Sequence, residues 1–206
     1  MKLFKKQNKP EDLIDDENLS LGKQAAIFVW EIFKVVVISL AIIIPVRYFL
    51  IKPFYVKGAS MEPNFYDHEY LIIDEITYRF SQPERGDIVV FHYPFDTSQH
   101  FIKRIIGLPG EKIKISEGNV YIADSQSSNY QELEEDYLLP AMKTLGEIEI
   151  TLADDEYYLL GDNRTASLDS RAFGPVKRSY IVGRTMLRGW PLDRFGVVLS
   201  NLEYNL

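Results

Sequence analysis

The chain contains no cysteine. That excludes disulfides, thiolate nucleophiles and thiolate metal sites, and it leaves the compartment open, since a chain without thiols is stable in any redox environment. Histidine is scarce too. His68, His92 and His100 are the only 3, and none stands in an HExxH or other pair with metal-ligand spacing. They are expected on strands or at the surface, and no metal or other cofactor is implied. Basic charge is in deficit: 23 Lys and Arg face 30 Asp and Glu, for a net charge of −7. A nucleic-acid partner wants a basic footprint, so none is expected here.

What the chain does have begins with an asymmetric N-terminal region. Residues 1–24 are polar, with Lys2, Lys5, Lys6 and Lys9 followed by Glu11, Asp12, Asp15, Asp16 and Glu17; such a mixed-charge tail is expected to be disordered. Ala25–Ile51 is mostly apolar. Its uncharged centre, Val35–Val46, falls short of the roughly 20 residues a spanning helix needs. The flanks make up the difference. Glu31 and Lys34 stand one helical turn apart and can pair, Lys34 and Arg47 can snorkel toward opposite interfaces, and Trp30 and Tyr48 lie where interfacial aromatics belong. A soluble core helix would carry a polar stripe, and only Ser39 interrupts Val35–Val46. A cleaved leader would end in small residues, whereas this run ends Val46-Arg47-Tyr48-Phe49. An uncleaved single-pass anchor over 25–51 is the expectation. Lys23 and Lys34 before the centre balance Arg47, Lys52 and Lys57 after it, so charge does not set the orientation.

From about Tyr55 the pattern turns to short strands rich in β-branched and aromatic residues. They are expected at Glu69–Ile76, Asp87–Tyr93, Phe101–Ile106, Lys112–Ser116, Asn119–Ala123, Gly146–Thr151, Glu156–Leu160 and Tyr180–Leu187. Lys112–Ser116 alternates strictly, and Ser116-Glu-Gly-Asn119 supplies a hairpin turn. No helical period follows residue 55. The fold class is therefore mainly β: a domain over 55–192, with a polar loop or small insertion near 124–145 that includes the acidic segment 131–136, and a C-terminal tail over 193–206.

Three stretches could carry chemistry. Gly58-Ala-Ser-Met-Glu-Pro63 sets a serine in a turn between flexible and proline-fixed residues; by itself this is equally an ordinary turn. In His100–Gly110, Lys103 alternates with Phe101 and Ile105, so the three share a strand face. If that face is apolar, the lysine loses hydration and its pKa falls, which makes it a base near neutral pH; if it is exposed, Lys103 is an ordinary surface lysine. Gly161–Arg171 is a polar loop dense in groups that bond their own backbone, and its spacing does not fit an EF-hand.

In this order, behind an N-terminal anchor, these stretches resemble the bacterial type I signal peptidases over roughly residues 27–190. Ser60-Met-Glu-Pro63 is similar to that family's nucleophile box, Lys103–Glu111 to its general-base box, and Gly161-Asp-Asn163 with Ser167–Arg171 to its last signature. Arg85–Phe91 is similar to the strand between the first two.

The resemblance implies a signal-peptidase-like β-rich catalytic domain with one N-terminal transmembrane helix. It implies Ser60 as nucleophile, Lys103 as general base, and Ser167 orienting the Lys103 amine. Met61 would lie near the substrate pocket, and Arg104, Asp169 and Arg171 would form a structural ion-pair cluster. The Ser60 N–H would be an oxyanion donor. Gly58 stands where some members place a second, hydroxyl donor, and Asn64 replaces a frequent threonine. The implied substrates are signal-peptide-bearing preproteins cut after small residues. Membrane lipid and the secretion translocon are the implied surroundings, with the enzyme in the plasma membrane and its catalytic domain on the extracytoplasmic side. Two other readings compete: a LexA-like self-cleaving Ser/Lys protein, which would carry a DNA-binding domain in place of the apolar run, and a catalytically silent tethered domain that binds signal sequences.

Overall fold

A computed structural model describes residues 20–45, 52–127 and 129–198. The chain forms two compact units, one ending at Pro45 and one comprising the rest. In the first, helix α1 covers Leu21–Pro45, 25 residues, or about 37 Å at the α-helical rise. Leu21–Ile44, which holds an 18-residue window of mean hydropathy 2.5, is long and apolar enough to cross a membrane. Glu31 and Lys34 approach to 3.6 Å, the pairing that lets one turn of an apolar helix carry both charges. The helix starts earlier than expected, so residues 21–24 belong to it and not to a polar tail; Lys23 and Gln24 bond back to the Ser20 carbonyl. Most of that tail, along with Arg47 and Tyr48, lies outside the described residues.

The second unit is built on two antiparallel sheets. Its strands are β1 (Lys52–Tyr55), β2 (Tyr70–Asp74), β3 (Ile88–Tyr93), β4 (Asp96–Gly107), β5 (Glu111–Ser116), β6 (Asn119–Asp124), β7 (Gln131–Glu132), β8 (Ile148–Thr151), β9 (Glu156–Leu160), β10 (Val176–Lys177), β11 (Ile181–Trp190) and β12 (Gly196–Val197). The larger sheet runs β1-β2-β11-β3-β4-β9-β10, with β12 also on β11, and the smaller runs β7-β6-β5-β8. Single-turn helices α2 (Thr77–Phe80) and α3 (Ser170–Phe173) are the α-helices described in this unit, in keeping with the missing helical period. The fold is mainly β, as expected.

All eight expected strands are present, β9 with the expected bounds and the other seven with shifted ends. The largest shift is in β4, which extends back to Asp96 because His92–Tyr93 continue pairing with Asp96 and His100 around the hairpin. Besides the short β10, which pairs with β9, three features differ from the sequence reading. β1 lies before the expected start of the β-domain near Tyr55; it pairs only with β2 at the sheet's end, where the missing N–H of Pro53 is tolerated. β7 lies inside the expected loop near 124–145, pairs with β6, and buries the adjacent Leu133. The expected tail over 193–206 is folded at its start. Arg194 Nη1 reaches Glu69 Oε1 at 2.6 Å, Arg188 Nε lies 2.9 Å from Glu69 Oε2, and β12 closes on β11. Glu69 is buried, and a buried carboxylate needs such counter-charges.

Three apolar clusters fill the unit. Val89, Phe91, Ile105, Tyr157, Leu159 and Phe173 form one. Ile106, Ile113, Ile115, Val120 and Ile122 anchor another against the smaller sheet. Met61, Phe65, Leu71, Ile73, Ile88 and Val90 make the third. β11 is central, and at Gly183 a Cβ would stand 2.5 Å from the Asp74 carbonyl oxygen. Gly183→Ala is therefore expected to destabilise the domain by about 2 kcal/mol, the usual cost of overpacking, read as a lower urea midpoint with an unchanged slope.

Candidate active site

Ser60 sits in a turn fixed from several sides. Gly58 adopts a φ of +87°, a conformation glycine enters without a Cβ penalty, and its N–H donates to Asp67 Oδ1 at 2.9 Å. Met61, fully buried in the third cluster, pins the turn from below. The Ser60 carbonyl accepts from the Asn163 N–H at 3.0 Å, and Asn163 Nδ2 donates to the Ala59 carbonyl at 3.0 Å. The residues after β9 thus clamp the serine's own peptide unit.

Lys103 reaches the same point from β4. It pairs with Val89 across the strands, and Phe101 and Ile105 on either side of it pack against the first apolar cluster. The alternation expected from sequence therefore faces apolar surroundings, and Lys103 is 3% exposed. Its Nζ lies 2.7 Å from Ser60 Oγ and donates to the Ile102 carbonyl at 2.8 Å. Burial pushes the amine's pKa down to about 8 from 10.5, against the pull of Asp169 and Asp162, which favour the charge. A shift of that size is about 3 kcal/mol of bias toward the neutral amine.

A cleft of about 430 Å³ opens onto this pair. The end of β1 contributes Phe54 and Tyr55, and β2 and β3 contribute Leu71 and Val90. Gln99–Lys103 form its β4 wall, and Leu168 closes it. Met61, expected near a substrate pocket, is not in that lining; it packs in the cluster behind Leu71 and Val90.

The expected ion-pair cluster divides in two. Arg171 clasps Asp169 through Nε at 2.9 Å and Nη2 at 2.8 Å, and Asp169 also accepts the Gly161 N–H at 3.1 Å. Burial opposes ionisation of Asp169, but Arg171 and the Gly161 N–H hold its carboxyl below the usual range. Arg104 pairs instead with Asp162, through Nε at 2.8 Å and Nη2 at 2.7 Å. Asp162 was not singled out from sequence, although it lies in the Gly161-Asp-Asn163 box. Asn64 also belongs to this pair, donating from Nδ2 to Asp162 Oδ2 at 2.8 Å.

Ser167 is near the pair without bonding to it. The amine's bonds go to Ser60 and Ile102, while the enclosed Ser167 Oγ faces the Asp169 carboxyl and favours its ionisation. The Ser167 side chain packs over Gly161, where an added Cβ would meet both Ser167 and the Ser60 carbonyl oxygen. Of the histidines, His100 lines the cleft and rings against His92 at 4.4 Å between centroids, while His68 lies beside Asp67; none bonds to Ser60. No group of three or more metal-ligating side chains occurs among the described residues.

A model described as "Signal peptidase, peptidase S26" matches residues 29–190. A match of that extent makes the protein a serine peptidase, and so a hydrolase. The chain belongs to the signal peptidase family, S26. It is 39% identical over 180 residues to a probable signal peptidase I-2 of Synechocystis sp., covering 84% of this chain and 78% of that one. It is 33% identical over 173 residues to signal peptidase I of Bacillus amyloliquefaciens, covering 79% and 86%. A solved signal peptidase I from Enterococcus faecalis aligns with 31% identity and a TM-score of 0.42, covering 50% of this chain and 97% of that one.

Because the unfolded chain holds the Lys103 proton up to about 10.5 and the folded chain releases it near 8, unfolding takes up a proton between those values. This residue's contribution to stability therefore rises with pH across that window. Lys103→Met is expected to fold at least as stably as the parent at neutral pH. Its advantage in denaturation free energy should shrink as pH is raised from about 8 toward 10.5.

Proposed function

We propose that this protein removes N-terminal signal peptides from preproteins, with Ser60 as nucleophile and Lys103 as general base. The observation that carries the reading is the 2.7 Å approach of a buried lysine amine to a serine hydroxyl at the floor of an open cleft. A lysine base must be neutral to accept a proton, and desolvation is what lowers its affinity for one.

In the forward step, Ser60 Oγ attacks the scissile carbonyl carbon as its proton passes to Lys103 Nζ. The tetrahedral intermediate collapses, the C–N bond breaks, and Lys103 returns the proton to the leaving amine. Water then attacks the acyl ester, with Lys103 again taking a proton and restoring it to Ser60. The Ser60 N–H makes no hydrogen bond to any described residue, which leaves it free to donate to the developing oxyanion. Ser167 Oγ, enclosed beside the Asp169 carboxyl, would orient the amine once the charge on Lys103 changes.

The substrate would lie extended in the cleft. β4 pairs with β9 only from Arg104 onward, so the flank of Gln99–Lys103 opposite β3 is open to strand addition. Aromatic and branched side chains at Phe54, Phe101, Val90 and Leu168 leave shallow room, which suits small residues before the scissile bond. Helix α1 would tether the enzyme in the plasma membrane with the catalytic unit on the extracytoplasmic side. There it would meet preproteins near the translocon and among lipid.

The test is incubation of the full chain, in detergent or vesicles, with a signal-bearing preprotein, and mass analysis of both products. Cleavage after a small residue by the parent and none by Ser60→Ala is expected; equal cleavage by both overturns the reading. The parent's kcat/KM should rise about tenfold per pH unit below about 8 and level above it, as the neutral amine becomes the dominant form. A profile flat from pH 6 to 9 would exclude Lys103 as the base.

A further inference from the structure

The acidic segment 131–136 and the residues after it had no assignable role in the sequence. In the structure, Tyr137 touches two of the three chemistry-bearing stretches and the residue that follows the third. The Tyr137 carbonyl accepts from Asn64 Nδ2 at 3.2 Å, in the turn that follows Ser60. Its ring lies 4.0 Å below the Arg104 guanidinium, the residue next to Lys103 on β4. Its hydroxyl accepts from Arg164 Nη2 at 3.0 Å, in the loop that clamps the Ser60 carbonyl, and donates to Glu135 Oε1 at 2.5 Å. Glu135 in turn accepts from Arg164 Nη1 at 2.8 Å. Arg164, 2% exposed, also donates from Nε to the Gly161 carbonyl at 3.1 Å.

From these contacts we infer that Tyr137 is a positioning residue for the reaction, holding the nucleophile turn, the base strand and the clamping loop in one register. Resting on the Ser60/Lys103 reading, it deepens it. The three stretches are far apart in sequence, and Ser60 and Lys103 meet only if their carriers are fixed to a few tenths of an ångström. Misplacement by about 1 Å costs on the order of a hundredfold in rate.

Each contact acts on a different part of this constraint. Stacking of Arg104 on an aromatic face is strongest where water is excluded, and Arg104 is itself buried. The guanidinium is therefore held from one side by Asp162 and from the other by the ring. Asn64 splits its amide between Asp162 and Tyr137, tying the serine's turn to the same two groups. Glu135 supplies the counter-charge that lets Arg164 stay buried. With Tyr137 absent, the base strand and the nucleophile turn keep only Asp162 of their two shared supports, and Arg104 loses the aromatic face beneath it.

The experiment uses the full chain and two readouts. The first is kcat per active site, with sites counted by a serine-acylating titrant so that misfolded protein does not enter. The second is the acidic limb of the kcat/KM profile, which reports how dry Lys103 remains. Tyr137→Leu keeps apolar bulk but loses the ring face and hydroxyl. It should lower kcat per titrated site about tenfold or more with little change in KM, and move the acidic limb up by about half a pH unit or more as the amine rehydrates.

Tyr137→Phe keeps the stacking and the backbone bond and should recover kcat to within about threefold of the parent. Asn64→Ala removes the side-chain ties to Tyr137 and to Asp162 together and leaves the tyrosine; it should lower kcat in the same direction, and if Tyr137→Leu does not fold the same two readouts are taken on Tyr137→Met. Parental kcat per site and an unmoved acidic limb in Tyr137→Leu, or parental kcat in Asn64→Ala, would overturn the inference. A parent that the titrant does not label at Ser60 would instead overturn the Ser60/Lys103 reading itself.

Discussion

The structure depends on keeping one lysine amine out of water while it touches one serine hydroxyl. Lys103 meets that demand from the strand itself, because Phe101 and Ile105 carry it to an apolar cluster and, among the described residues, its Nζ hydrogen-bonds to the Ile102 carbonyl and Ser60 Oγ alone. Burying an ammonium is costly, and the fold accommodates the group by moving its pKa toward neutrality. The same desolvation that penalises the charged lysine supplies the basicity that the proposed reaction draws on. Two carboxylates nearby, Asp169 and Asp162, pull the other way, and each is engaged by an arginine. Their pull is blunted by those partners, so burial prevails.

Around that contact the fold places its polar groups as supports and its apolar groups as walls. Met61 and Phe65 anchor the nucleophile turn in the third cluster, while Asn163 holds the Ser60 peptide from above. Arg171 and Asp169 shape the loop that delivers Ser167 and Leu168. The close packing at Gly161, whose missing side chain makes room for Ser167 and the Ser60 carbonyl, shows how little slack the arrangement has. The cleft, by contrast, is open and lined from four strands and two loops, as a site that admits an extended chain requires.

Membership of the signal peptidase family and the apolar helix α1 bear on each other physically. A peptidase that meets its substrate at a bilayer needs a tether, and Leu21–Ile44, with an 18-residue window of mean hydropathy 2.5, has the length and composition for one. The catalytic unit has its own clusters and sheets and is a compact body in its own right. Its chemistry is set within that body, by contacts among β4, the serine turn and the loop after β9.

Much of this was legible along the chain because its causes are local. Runs of β-branched and aromatic residues between turn signals marked the long strands, a mostly apolar run marked α1, and the spacing of Phe101, Lys103 and Ile105 put the lysine on the face those two side chains share, leaving open whether that face was buried. The sequence alone also determined the residues of the three boxes and, through them, the resemblance. Tertiary contacts decided the rest. Arg104 chose Asp162 and not Asp169, Met61 went to the core and not the cleft, Ser167 stopped short of the amine, and Glu135 and Tyr137 became supports of a site they adjoin only in space. β1, β7 and β12 pair through partners that no local pattern names. The physical reason is common to all of these. Periodicity reports which way a side chain points, whereas its partner depends on the distances that packing creates between segments remote in the chain.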